Sequence, residues 1–483
     1  MSPREKRTRS VEFGDFQTPR ELADLVCRFL VERGVEPSTV VEPTCGLGHF
    51  VQAALDRFPS ADCLGFEINP AYVESLRQTL DAQADGKGRV ALGSFFELDW
   101  ESILGELAEP ILILGNPPWV TNSGLGAFGG TNLPPKANRQ GLSGLDARTG
   151  KSNFDISEWI LIRLMELMAG RPGWLAMLCK TAVARRVLRH AWTHGLSIDR
   201  AEIRNIDAQT WFGAMVDACL FVCRFPPIEE GAGKLCGVFA DIEQATPRQM
   251  LGEIDGQFVA DVGAYQRWKH LAGPSVQRWR SGIKHDCSRV MELRRDGSGF
   301  RNGLGERVEL EPEFVHPMLK SSELAAGRVE APTRWMLVPQ RAVGDDTGRL
   351  QTIAPRTWRY LLDHEEALDR RGSSIYRNRS RFSVFGVGPY SFSPWKVAIS
   401  GFYKKLDFVV VGPIEGKPVV FDDTIAFIPC QSEPEARRIA SMLNSEVARE
   451  FFSAFLFWDS KRPITVELLQ RLNIRALAAE LGR

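Results

Sequence analysis

The sequence predicts an α/β protein, with a parallel sheet flanked by helices on both faces and then a second, strand-rich region. Three observations carry this. Short apolar runs alternate with amphipathic stretches over roughly the first 225 residues, which is the pattern of strands crossing to helices and back. The unusual residues fall where those apolar runs end, the place where such sheets bind ligands. Near Pro226-Pro227-Ile228-Glu229-Glu230-Gly231 the alternation stops.

Taken in order, residues 22–30 read as an amphipathic helix, and Val40-Val41 as a short strand ending at Glu42-Pro43. A helix over 50–58 follows, then a strand at Cys63-Leu64-Gly65-Phe66 ending at Glu67. A helix over 71–80 and a strand at Val90-Ala91-Leu92 come next. Pro110-Ile111-Leu112-Ile113-Leu114 is apolar throughout, as a strand buried on both faces must be, and is bounded by Gly115-Asn116. Residues 120–151 change to Gly, Asn, Ser and Pro, a long loop of the kind that is either functional or mobile. A helix resumes over 154–168. The second half closes with helices expected at about 433–455 and 463–480.

The totals narrow the class. A chain of 483 residues with 44% apolar and 25% charged residues is a folded protein of two or three domains. Lys and Arg number 60, as do Asp and Glu, so any polyanion partner must be met by a local basic face. No apolar run approaches the ~20 residues of a membrane helix, and the N-terminus has no secretory pattern. Nine scattered cysteines suit a reducing cytoplasm. Cys219 and Cys223 share one face of a strand and read as buried thiols; no metal site is expected.

Glu42-Pro43-Thr44-Cys45-Gly46-Leu47-Gly48-His49-Phe50 is a strand end, a glycine turn and a helix start. Without a Cβ, glycine lets backbone approach a ligand closely. Glu67 ends the next strand about twenty residues on, the offset of an acid that holds a ribose; a solvated strand-end carboxylate is the plainer reading. The turn lacks a complete Gly-x-Gly-x-x-Gly and carries Glu42. A carboxylate there repels a pyrophosphate and suits a cation such as a methionine ammonium, so S-adenosylmethionine is the expected cofactor rather than a dinucleotide.

Gly115-Asn116-Pro117-Pro118-Trp119 follows the apolar strand directly. Two prolines fix φ and remove two donors, leaving a stiff turn with free carbonyls. It could be no more than a rigid strand exit with a packing Trp. Its residue types also fit chemistry at an adenine amine, whose lone pair is delocalised into the ring. The Asn116 side-chain oxygen and the Pro117 carbonyl could each accept one amine hydrogen and so free the lone pair for attack on a sulfonium methyl. Trp119 could stack on a base drawn out of the duplex.

Asn-Pro-Pro-Trp after Glu-Pro-Thr-Cys-Gly-Leu-Gly resembles the gamma class of adenine-specific DNA methyltransferases, of which the TaqI enzyme is typical. The motif order agrees. Phe16-Gln17-Thr18-Pro19 resembles the N-terminal cofactor motif, and Glu67-Ile68 the ribose acid with its adenine-packing neighbour. Gly93-Ser94-Phe95-Phe96 resembles the adenine-contact motif, with Ser94 where the family carries Asp. Trp211-Phe212-Gly213-Ala214-Met215-Val216-Asp217-Ala218 resembles the segment whose aromatic residue sandwiches the flipped base, Phe212 being the preferred residue. The resemblance implies a Rossmann-like S-adenosylmethionine-dependent methyltransferase domain with a mixed seven-stranded sheet over 1–230, then a mixed α+β target-recognition domain over 231–483. It implies cofactor contacts at Phe16, Thr18, Pro19, Glu42, Pro43, Thr44, Cys45, Gly46, Glu67, Ile68, Ser94, Phe95, Asn116 and Pro118. It implies catalysis by Asn116, Pro117, Pro118 and Trp119, and a partner in double-stranded DNA, together with a separately encoded restriction endonuclease and no membrane. The host is then a bacterial or archaeal cytoplasm, with the nucleoid as substrate.

In the second half, Tyr376-Arg377-Asn378-Arg379-Ser380-Arg381 and Tyr390-Ser391-Phe392-Ser393-Pro394-Trp395-Lys396 interleave cations with aromatics, and Lys404-Lys405 follow. A solvated face over buried aromatics is the bland reading. Beside a base-modifying domain, Arg377, Arg379, Arg381, Tyr390, Trp395, Lys396 and Lys404 are candidate DNA contacts, with Lys136 and Arg139 from the long loop. Related tetrapeptides also act on protein glutamine or RNA, and a non-catalytic DNA-binding protein on the same fold is a further alternative. Cytosine-ring methylation needs a Cys after Pro, and the one Pro-Cys, Pro429-Cys430, stands in the wrong half. About fifteen residues precede the first cofactor motif, so a fused N-terminal nuclease is not expected.

Overall fold

The computed structural model describes residues 17–82, 86–120, 155–227, 233–460 and 462–482. The chain divides into two compact units, Met1–Val262 and Gly263–Arg483.

The first unit begins with α1 (Arg20–Glu32), β1 (Thr39–Glu42), α2 (His49–Arg57), β2 (Asp62–Glu67), α3 (Pro70–Asp81), β3 (Gly88–Leu92), α4 (Trp100–Gly105) and β4 (Ile111–Gly115). It continues with α5 (Ile156–Met168), β5 (Gly173–Lys180), α6 (Thr181–Thr193), β6 (Arg200–Ile206), α7 (Ala208–Phe212), β7 (Ala218–Phe225), β8 (Leu235–Phe239), β9 (Gln249–Ile254) and β10 (Gln257–Val259). One sheet contains all ten strands in the order β10-β9-β8-β6-β7-β5-β4-β1-β2-β3. The pairings β1–β2, β1–β4, β2–β3 and β4–β5 are parallel, while β7 runs antiparallel to both β5 and β6. Strands β1 to β7 are thus the mixed seven-stranded sheet that the resemblance implied.

The other three strands shift the expected boundary. A break at 230 would leave β6 as an open edge, a liability for any sheet. Instead β8 pairs parallel with β6, and β9 and β10 add antiparallel beyond it, so the first unit runs on to Val262.

Local rules account for the elements. All five residues of β4 are buried, which explains its unbroken apolar run. Helix α1 turns Leu22, Ala23, Val26, Cys27 and Leu30 into the core at helical spacing, where each large aliphatic side chain contributes ~1.5–3 kcal/mol. Asn69, Asp99, Asp155 and Asp207 cap α3, α4, α5 and α7 with side-chain oxygens. Cys219 and Cys223 are buried as expected.

The second unit is mixed α+β. Its strands are β11 (Arg280–Ser281), β12 (Glu292–Asp296), β13 (Gly299–Asn302), β14 (Arg307–Val308), β15 (Val315–Leu319), β16 (Arg334–Leu337), β17 (Trp395–Ser400), β18 (Val409–Val411), β19 (Val420–Phe421) and β20 (Ile425–Cys430). They form a six-stranded sheet, β14-β13-β12-β16-β15-β19, and a four-stranded sheet, β11-β20-β17-β18. The two closing helices expected from sequence are each divided. Ser445 caps Glu446–Ser453 after Glu433–Leu443 ends, because the Asn444 side chain turns away to bind the Phe408 backbone. Asn473 likewise starts Ile474–Glu480 after Val466–Leu469.

Candidate active site

The carboxyl ends of β1, β2, β3, β4 and β5 share one edge of the first unit's sheet, and the candidate residues stand there. At the end of β1, Glu42 is 4% exposed and accepts a hydrogen bond from Val51 N at 3.2 Å through Oε2. Burial, the largest effect, raises its carboxyl pKa well above the ordinary range. The next turn is tightly tied. Cys45 N donates to the Phe66 carbonyl at 2.8 Å, Gly46 N to Glu67 Oε2 at 2.8 Å, and Leu47 N to Gln17 Oε1 at 3.0 Å. Gly48 lies at φ 76°, and a Cβ there would come within 2.4 Å of Leu76, so the turn requires glycine twice over. His49 Nδ1–H donates to the Thr18 carbonyl at 2.6 Å, fixing buried Thr18 and Pro19 against the start of α2.

Glu67 closes this turn. Its Oε1 accepts from Asn69 N at 2.8 Å while Oε2 holds Gly46. The plain reading of a solvated strand-end carboxylate is therefore displaced by one that fastens two strand ends together. Beside it Ile68 is 49% exposed, an apolar side chain open to a ligand. Thr44 Oγ1 is buried without a hydrogen-bond partner among the described residues. A buried acid, an open apolar side chain next to a carboxylate, and an unsatisfied hydroxyl fit a ligand with a cationic end and a nucleoside end.

Two aromatic expectations change. Phe95 is 5% exposed, its ring centroid 5.0 Å from Trp100 and 6.1 Å from Trp159. The ring is buried beside that cluster, and neighbouring Phe96 is the half-buried ring of the pair. Ser94 is buried, and its Oγ accepts from Phe96 N at 3.3 Å, shaping the turn. Trp119 is also 5% exposed. Its indole N–H donates to the Leu178 carbonyl at 3.4 Å, and Phe212 meets it edge-on with centroids 5.2 Å apart and planes at 70°. The structure brings together Trp119 and Phe212, two aromatics expected to share a role, but presents Trp119 as a packing residue.

Asn116, Pro117 and Pro118 leave β4 next to Glu42. Gly115 has φ 155°, and a Cβ on it would lie 3.2 Å from Glu42 Cγ, so the acid of β1 lies directly against the start of the tetrapeptide. Residues that single-sequence reasoning did not assign complete the site. Gln17 and His49 fasten the glycine turn, while Asp155 and Lys180 meet beyond Trp119. A cation ending the apolar run at 175–180 was the visible signal for Lys180.

Phe16, Lys136 and Arg139 lie outside the described residues. In the second unit, Arg377, Arg379 and Lys404 are exposed, and Arg377 and Arg379 have no carboxylate partner among the described residues. Arg381 is ion-paired with Glu365 and Asp369, both at 2.6 Å, so its charge is already compensated. Tyr390 is half-buried, with the Arg280 guanidinium 4.6 Å from its ring centroid. Trp395 lies on the Gly412 backbone, where a Cβ would come within 2.6 Å of its ring.

Lys396 corrects the sequence reading outright. It sits on β17 at 1% exposure and donates to the Ser393 carbonyl at 2.6 Å. Burial pushes its pKa down to about 7. Every residue of β17 after Trp395 is buried, so both faces of the strand are covered and Lys396 cannot reach a phosphate.

No protein-family model matches the chain. It is 46% identical over 470 residues to the type II methyltransferase M.NspV of Nostoc sp., spanning 97% of each protein. Over 117 residues it is 32% identical to the type II methyltransferase M.CvrRI of a Paramecium bursaria Chlorella virus, covering 24% of this chain and 27% of that one. Among solved structures, the restriction–modification enzyme MmeI in complex with DNA shares the fold at a TM-score of 0.53 and 13% identity, covering 95% of this chain and 65% of that one. Identity of this extent along nearly the whole length, on a Rossmann-like methyltransferase sheet with its glycine turn intact, makes this chain a member of the type II methyltransferase family.

Proposed function

We propose that the chain methylates the exocyclic N6 amine of adenine in double-stranded DNA, as a gamma-class, TaqI-like modification enzyme of a restriction–modification system. The observation that carries this is the Asn116-Pro117-Pro118-Trp119 turn at the exit of β4, with buried Glu42 of the glycine turn against Gly115, the residue that leads into it. The cofactor is S-adenosylmethionine, which supplies an electrophilic sulfonium methyl when bound. Glu42, Thr44, Gly46, Glu67 and Ile68 are the residues that would hold it. Glu42 serves the cationic end, and Glu67 with Ile68 the nucleoside end.

The chain's own work is positional and electrostatic. The Asn116 side-chain oxygen and the Pro117 carbonyl each accept one amine hydrogen, which shifts electron density onto nitrogen and aims its lone pair. Asn is neutral, so this step requires no tuned ionisation. The amine's displaced proton leaves to solvent after transfer. A base inside a duplex is out of reach of such a turn, so the target must be flipped out. Phe212 is the aromatic residue proposed to meet it, with Trp119 fixing the wall behind. The second unit is proposed to read the DNA, through Arg377, Arg379 and Lys404. A separately encoded endonuclease would be the companion activity.

Tritium transfer from labelled S-adenosylmethionine to unmethylated genomic DNA, followed by nucleoside analysis, tests this. Label in N6-methyl-2'-deoxyadenosine is the expected result. Label in protein or RNA, with none in DNA, overturns the substrate assignment.

A further inference from the structure

The tetrapeptide has an anchoring problem. Pro117 and Pro118 carry no N–H, so the turn cannot pin itself with its own central donors, yet its carbonyls and Asn116 must be held within a fraction of an ångström to act. Strand β5 supplies the anchors. Leu178 O accepts the Trp119 indole N–H at 3.4 Å. Two residues on, Lys180 Nζ donates to the Trp119 carbonyl at 3.0 Å and pairs with Asp155 Oδ2 at 2.5 Å. Asp155 is 5% exposed, and its Oδ1 accepts from Ser157 N at 3.1 Å and Ser157 Oγ at 2.6 Å. Its position is therefore set by the helix it caps. Ile156 N adds a bond to the Val120 carbonyl at 2.8 Å, and Thr181 N one to the Asp217 carbonyl at 3.0 Å. Lys180 joins the end of the tetrapeptide to the start of α5. Its neighbour Thr181 joins the same strand end to the turn after Phe212.

We infer that Lys180 is a positioning residue for methyl transfer, setting the Asn116–Trp119 turn through the Trp119 carbonyl, with Asp155 fixing the ammonium. Its bond to the Trp119 carbonyl is charge-assisted, the stronger kind. Lys180 touches neither cofactor nor base in this account, so its loss affects the rate and spares the binding steps. The inference rests on the tetrapeptide being the reacting centre.

Removing the lysine alone strands a buried carboxylate, a change that by itself destabilises a fold. The informative variant is therefore Lys180→Met with Asp155→Asn, in which the amide oxygen still caps Ser157, compared with Lys180→Arg. Single-turnover transfer at saturating S-adenosylmethionine and DNA should fall about tenfold or more in the double variant, with both binding affinities within about twofold of wild type. Lys180→Arg should restore most of the rate. An unchanged rate, or affinities falling in step with the rate, overturns the role. The wild-type arm identifies the labelled acceptor separately. If that acceptor is not DNA, the DNA reading fails, and the same comparison on the true acceptor still decides Lys180.

Discussion

The two units treat their conspicuous residues in opposite ways. In the first, the side chains that stand out in sequence are bound tightly into the fold. Glu67 bridges Gly46 and Asn69, Gln17 holds Leu47, and Trp119 is fastened to β5. In the second, the cation–aromatic run is unevenly spent. Arg377 and Arg379 are exposed, Arg381 is neutralised by two carboxylates, and Lys396 is inside. On the proposed roles, the difference is one of task. A reacting centre needs preorganised groups, and preorganisation means hydrogen-bonding and burial. A surface that meets phosphates needs uncompensated charge in water, which a folded chain supplies only at positions its own core and ion pairs leave over.

The comparison breaks most visibly at Asn116. Asn116→Ala should cut the single-turnover methyl-transfer rate by ~100- to 1000-fold while S-adenosylmethionine and DNA still bind. A rate within a few-fold of wild type would remove Asn116 from the chemistry.

Glu42 gives the next effect. Because burial raises its folded pKa, its contribution to stability is complete at low pH and is lost as pH rises through that pKa. Glu42→Gln keeps an oxygen for Val51 N and removes the charge. We expect a melting temperature higher by a few degrees at neutral pH, roughly what ~1 kcal/mol produces. We also expect cofactor affinity weaker by about tenfold, since the cationic end loses its partner. Calorimetry in buffers of different ionisation enthalpy would measure both the affinity and the proton released when wild-type Glu42 ionises. Unaltered cofactor affinity in the variant would separate Glu42 from the ligand.

In the second unit, Arg379→Ala should weaken DNA binding several-fold and flatten its salt dependence by about one ion. Arg381→Ala should do less than half as much, its charge being committed to Glu365 and Asp369. Equal losses in a fluorescence-anisotropy titration across salt concentrations would mean that the ion pairs do not decide which arginines bind.

The smallest effect on DNA binding belongs to Lys396. Lys396→Met should leave DNA affinity unchanged. It should also remove a rise in wild-type stability between pH about 7 and the ordinary lysine value of 10.5, because over that window the unfolded chain binds a proton that the folded chain does not. Urea melts across that range would reveal the slope. A loss of DNA affinity would return Lys396 to the surface.

Much of the first unit was legible in one sequence. Strand-end acids, the glycine turn and the Asn-Pro-Pro-Trp exit each carry a backbone constraint, so residue type and spacing announce them, and the family resemblance rests on the same positions. Ring exposure was not legible. Phe95 and Phe96 are adjacent in sequence, and the packing of Trp100 and Trp159 decides which ring is covered.

By itself the sequence determined the alternation of strands and helices, the glycine turn and the chemistry open to the tetrapeptide, because these follow from local propensity and near-neighbour spacing. The tertiary structure decided that three further strands extend the first sheet to Val259, and that Lys396 faces inward while Arg379 faces water. It also decided that Lys180 and Asp155, far from Asn116 along the chain, meet at its turn. Each of these is set by pairing register and side-chain packing between distant segments, energies that no local stretch of sequence contains.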